Sequence, residues 1–204
     1  MNYLAHLYLS GPETGVRVGN FIGDYVKGSN FTRYAPPICK GIILHRQIDA
    51  FTDKHPIFKQ SSKHFYLMYQ RYSGVVTDIA YDHFLAANWG SFSDQSLKNF
   101  VTESHRILMA NYFSLPGTVK KFLPFLIKSR RMEHYNSLDG IEKTLRIMAG
   151  HSSLPNHAEW AMEQINANYE QLKNEFFVFF ADVSKMCQAH LEAAAVNEQL
   201  TKLP

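Results

Sequence analysis

A chain of 204 residues fits a single domain, since domains typically span roughly 100–200 residues and a core of that size needs no disulfide support. Its formal net charge of +3 lies well below the basicity of most nucleic-acid binders and discriminates only weakly among acidic partners. Cys39 and Cys187 sit in no CxxC or Cys/His cluster, which argues against a thiolate zinc site or a disulfide framework and points to a reducing cytoplasm.

The opening stretch, Met1 to Leu9, has no basic flank and is broken by Ser10-Gly11-Pro12, so it reads as a short helix near 2–9 and not as a signal peptide. A second helix is expected near 14–27, then a loop ending in Pro36-Pro37, then helices near 38–53, 56–71, 74–89, 94–112, 117–131 and 138–149, and a long one from about 156 to 198. Pro56 and Pro116 stand where helices start, and Gly90 and Gly150 where they stop. Pro124 should kink or split its segment. Period-two runs are scarce, so the fold class is all-α: one compact multi-helix domain over residues 1–204. The densest apolar run, Phe176-Phe177-Val178-Phe179-Phe180, falls far short of the ~18 residues of a membrane span. Within the second helix Gly15, Gly19 and Gly23 recur at intervals of four, a bare ridge against which another element can pack closely.

Projected at about 100° per residue, Ile38, Gly41, Ile42, His45, Ile48, Asp49 and Thr52 share one face, which sets His45 and Asp49 one turn apart on an apolar stripe. Asp78 and Asp82 likewise share a stripe with Val75, Ile79, Leu85, Ala86 and Trp89, with His83 at its margin. Buried carboxylates need a cation, a proton or a metal. A salt bridge would answer for one of them; carboxylates and a histidine on two inward stripes make a shared metal ion the economical account. A mixed nitrogen and oxygen donor set favours Mn²⁺, Mg²⁺ or Fe²⁺. His6 lies in a helix apolar nearly all round, and Asp24 shares a polar stripe with Arg17 and Asn20. A hydrogen-bonded core histidine and an Arg17–Asp24 ion pair are the plainer readings of these two.

The stretches Asn2-Tyr3-Leu4-Ala5-His6-Leu7, Gly19-Asn20-Phe21-Ile22-Gly23-Asp24-Tyr25-Val26-Lys27-Gly28, His45-Arg46-Gln47-Ile48-Asp49-Ala50-Phe51-Thr52-Asp53 and Asp78-Ile79-Ala80-Tyr81-Asp82-His83-Phe84-Leu85 follow one another in an order and spacing that resembles the acyl carrier protein phosphodiesterase family. The likeness is strong over residues 1–89 and fainter to about 180. It implies an HD-domain-like phosphohydrolase using Mn²⁺, although the His-Asp doublet of HD proteins is inverted here to Asp82-His83. It further implies hydrolysis of the phosphodiester between 4′-phosphopantetheine and a serine of holo-acyl carrier protein. On that reading His6, Asp24, His45, Asp49 and Asp82 are the metal ligands, and His83 is a ligand or the general acid for the leaving serine oxygen. Asp53 and Asp78 would orient ligand imidazoles, and Arg46 and Lys27 would bind phosphate oxygens. An outward, solvated Arg46 is the plain alternative.

For an acidic carrier protein the densest cationic stretch is Lys120, Lys121, Lys128, Arg130 and Arg131, a run that could equally be one solvated face. Two other readings stand beside this one: an HD-type metal phosphohydrolase acting on a nucleotide or other small phosphodiester, and a non-catalytic helical binder of an acidic partner.

Overall fold

The computed structural model describes the backbone of residues 1–200 and the side chains of 1–194; the last four residues of the expected 1–204 domain lie outside the described residues. Twelve α-helices and several 3₁₀ turns account for its regular structure, with no strand among the described residues. The helices are α1 (Tyr3–Leu9), α2 (Thr14–Ile22), α3 (Pro36–Lys54), α4 (Pro56–Lys63), α5 (Tyr66–Tyr69), α6 (Ser73–Ala87), α7 (Leu97–Ala110), α8 (Gly117–Ser129), α9 (Arg131–His134), α10 (Leu138–His151), α11 (Ala158–Ala167) and α12 (Tyr169–Leu200).

One apolar core runs through the molecule, and α6 passes through its middle, touching α1, α4, α10 and α12. Tyr81, Phe84 and Leu85 of α6 are fully buried; Tyr81 meets Phe176 and Phe179 of α12 and Phe84 meets Phe176, so Phe176, Phe179 and Phe180 of the aromatic run belong to the core. No described helix is long and apolar enough to cross a membrane.

The glycine ridge of α2 lies against α3, and each glycine has its own partner. A Cβ on Gly15 would strike Pro37, one on Gly19 would strike the carbonyl of Ile38 and come within 2.9 Å of the Gly41 Cα, and one on Gly23 would strike the His45 ring. Gly15 makes room for the proline ring, Gly19 for backbone-to-backbone approach and Gly23 for an imidazole.

Three expected helices end early or divide. The second helix gives way to a 3₁₀ turn, Gly23–Tyr25. The 56–71 segment divides after Lys63, where the Ser62 hydroxyl donates to the Phe58 carbonyl (2.9 Å) and competes with the helix ladder. The long C-terminal helix divides at Asn168, whose backbone N–H and side-chain amide both donate to the Gln164 carbonyl. By contrast α8 runs through Pro124 unbroken. The carbonyl that proline leaves without a donor, that of Lys120, accepts the Tyr112 hydroxyl at 3.3 Å.

Candidate metal centre

Three of the expected ligands converge. His6 of α1, His45 of α3 and Asp49, one turn beyond His45, present ligand atoms that all lie within 4.8 Å of one another. The two imidazoles stack at 4.2 Å between ring centroids. Asp49 Oδ1 is 3.4 Å from His6 Nε2, and Asp49 Oδ2 is 3.1 Å from His45 Nε2. Asp24, in the 3₁₀ turn after α2, brings Oδ1 to 3.3 Å from His45 Nε2; it faces this histidine, while Arg17 pairs with Glu103 instead.

Asn20 orients both rings. Its side-chain Oδ1 accepts the Nδ1 proton of His6 (2.7 Å), and its backbone carbonyl accepts that of His45 (2.8 Å). The Asn20 amide in turn donates to the His6 carbonyl and to Ser10 Oγ, so the residue is fully buried and fully bonded. In the neutral, Nδ1-protonated form, which His45 reaches when a cation displaces its second proton, each Nε2 carries a lone pair, and both Nε2 atoms are buried with no hydrogen-bond partner. Two aimed, orphaned imidazole nitrogens beside a carboxylate fit a divalent cation.

The electrostatics point the same way. Burial lowers His6 to about 4 despite the nearby Asp49 carboxylate, which keeps it a neutral donor. Burial also works to lower His45, but the Asp24 and Asp49 carboxylates outweigh it and lift the ring to about 9. Asp49 is held well below the usual carboxylate range, since the two histidines overcome its burial, and His45 lowers Asp24. A site whose carboxylates draw a proton this strongly draws a metal cation for the same reason.

Asp82, expected as a ligand, is elsewhere. It is fully buried on α6, and its two oxygens accept the backbone N–H groups of Leu4 (3.0 Å) and Ala5 (3.1 Å) at the start of α1. Burial raises its carboxyl to about 7 against those two bonds. His83 does not reach the centre either: its Nδ1–H donates to the Tyr135 carbonyl (2.8 Å), its Nε2 accepts the Tyr169 hydroxyl (3.0 Å), and burial lowers its pKa. Neither nitrogen is left for a metal or for a leaving group. Arg46 donates Nη2 to the carbonyls of Val26 (2.9 Å) and Gly28 (2.7 Å) and lies over Phe31, so it ties down the loop after Asp24 and is not among the residues lining the cavity. Lys27 is exposed in that loop. Asp78 pairs with the Met1 amine at 2.9 Å, and Asp53 stands exposed on the rim; Asn20 does the orienting expected of these two.

Asn20 escaped notice as a site residue, although its place one turn before Asp24 on an otherwise apolar helix was a usable signal. The centre opens into a cavity of about 480 Å³ whose walls include Tyr3, Tyr25, Asp53, Asp78, Arg131 and Tyr135. The Tyr3 and Tyr25 hydroxyls bond each other at 2.8 Å, and burial raises both above the ordinary phenol value.

With this geometry in place, likeness to known proteins becomes informative. A profile of the acyl carrier protein phosphodiesterase family matches residues 1–183. The chain belongs to the acyl carrier protein phosphodiesterase family. It is 29% identical over 189 residues to the acyl carrier protein phosphodiesterase of Yersinia enterocolitica, covering 92% of this chain and 98% of that one. The Yersinia pestis protein of the same name is 28% identical over the same span, and that of Salmonella agona 29% identical over 181 residues, covering 88% and 94%. Comparison with solved structures gives no match.

Proposed function

We propose that this chain is a metal-dependent phosphodiesterase that cleaves the bond between 4′-phosphopantetheine and a serine of holo-acyl carrier protein, releasing apo-protein and the free prosthetic group. The observation that carries the chemistry is the pair of buried, unpartnered Nε2 atoms converging on Asp49; the substrate follows from family membership. His6, His45 and Asp49 would hold the ion, with Asp24 as a fourth ligand. Mn²⁺ suits this donor set, as do Fe²⁺ and Mg²⁺. We read residues 1–204 as one domain of HD-related architecture, in which two histidines and carboxylates on neighbouring helices build the centre.

When bound, such an ion supplies an acidic water at neutral pH and positive charge for the phosphoryl oxygens. The protein's own residues do the remaining work. Asn20 fixes the tautomer of both imidazoles. Asp82 holds the first turn of α1, and with it His6, in register with α6. Tyr3 and Tyr25, kept as O–H by burial and bonded to each other, leave one hydroxyl proton between them to donate to a substrate oxygen in the cavity. No serine or cysteine nucleophile is needed.

The test is conversion of holo- to apo-acyl carrier protein with Mn²⁺, followed by intact mass, for wild type beside Asp49→Ala. Wild type should remove the phosphopantetheine mass and the variant should fall by at least about 100-fold, on the order of the several kcal/mol a bound ion contributes. If wild type leaves the carrier protein untouched yet cleaves a generic phosphodiester, the substrate assignment fails and a phosphohydrolase of small diesters takes its place.

A further inference from the structure

The cationic residues of α8 and the turn after it differ in their surroundings. Lys120 donates to the Phe113 carbonyl, and Lys121 and Lys128 are exposed. Arg130 adopts the left-handed conformation, φ 49° and ψ 30°, and turns outward to a two-pronged pair with Glu133 at 2.7 and 2.9 Å. Arg131 is half-buried, its guanidinium carbon lies 5.6 Å from the Phe125 ring centroid, and it lines the cavity of the metal centre. Its Nε is buried with no hydrogen-bond partner, and no carboxylate pairs with it among the described residues.

The cavity wall carries Asp24, Asp49, Asp53 and Asp78. Arg131 is the one Lys or Arg side chain on that wall among the described residues. The Met1 amine, also on the wall, is already paired with Asp78, so a phosphodiester entering the cavity meets one unpaired side-chain cation, Arg131, against four carboxylates. A left-handed residue other than glycine is unfavourable and persists where its surroundings demand it; here it stands between an exposed ion pair and a half-buried, unpaired cation on the cavity wall.

We propose that Arg131 is the anion-reading residue of the cavity, donating from its guanidinium to non-bridging phosphoryl oxygens of the substrate. This rests on the phosphodiesterase reading for its setting and adds a recognition residue outside the metal ligands. Guanidinium suits the task because its planar fork matches two phosphoryl oxygens, and a charge-assisted bond of this kind corresponds to roughly 10- to 100-fold in affinity.

The test uses the full chain loaded with Mn²⁺ as wild type, Arg131→Ala and Arg131→Lys. Binding of inorganic phosphate is measured by calorimetry, and kcat/KM is measured on bis(4-nitrophenyl) phosphate. Arg131→Ala should weaken phosphate binding and lower kcat/KM on the small diester about 10- to 100-fold, with Arg131→Lys between, methylguanidinium restoring part of the loss in Arg131→Ala, and Mn²⁺ affinity unchanged in both variants. Equal phosphate affinity in wild type and Arg131→Ala, or no phosphate binding by wild type, would overturn the proposal. So would loss confined to holo-acyl carrier protein, since Arg131 would then touch the carrier and not the phosphoryl group. Failure of wild type on the carrier protein alone would sink the parent reading while leaving Arg131 decided by phosphate and the small diester.

Discussion

Both imidazoles of the candidate centre hang on Asn20, but by different atoms: His6 on its side chain and His45 on its backbone carbonyl. Asn20→Ala should therefore release the His6 ring alone, lowering Mn²⁺ affinity about 10- to 100-fold by calorimetry. It should also cost roughly 1–3 kcal/mol of stability for the buried polar groups of His6 and Ser10 left unmet. His105 supplies a pH-dependence away from the centre. Its Nε2 is buried without a partner, and burial, with Arg130 nearby, lowers its pKa against the opposing pull of Glu133. The unfolded chain binds this proton more tightly, near the ordinary imidazole value of about 6.5. The stability tied to neutral His105 is thus fully present above that pH and is lost as pH falls toward the lowered folded value. His105→Gln should flatten the fall in urea midpoint between neutrality and pH 5, by at most about 1.4 kcal/mol per pH unit.

The glycines of α2 separate packing from site at the level of elements. Gly19→Ala forces α2 off the α3 backbone and should cost about 1–3 kcal/mol or more in urea denaturation. Gly23→Ala meets only the His45 side chain and should spend its effect on metal affinity, measured by calorimetry, with a smaller loss of stability. The spacing of these glycines was legible in the sequence; which one faced the site depended on the register of α3. The same limit explains the carboxylates. Periodicity was enough to place Asp49 and Asp82 inward, because side-chain direction is local. What satisfies each is not: Asp49 meets a histidine one turn away and His6 from α1, whereas Asp82 meets amides 77 and 78 positions back along the chain. Arg131 was hidden for a different reason, since no pattern of charge announces that the residue before it is left-handed.

At the scale of the whole molecule, the candidate ligands stand on α1, the turn after α2 and α3, so an ion held there would fasten three elements that lie apart in the unfolded chain. Mn²⁺ at 100 times its dissociation constant should stabilise the fold by about 2.7 kcal/mol, which for a domain of this size corresponds to a melting temperature roughly 5–11 °C higher. His45→Ala should lose that increment, and EDTA should reverse it in wild type, in thermal melts followed by circular dichroism. The seven-residue α1 is far too short to persist as an isolated helix. Asp82 clasps its first turn from α6, and Asn20 and Ser10 clasp the carbonyl of His6 from the other side. The centre is therefore not portable: a peptide or grafted loop carrying the same ligands would lack α6, and without α6 the first ligand has nowhere to stand.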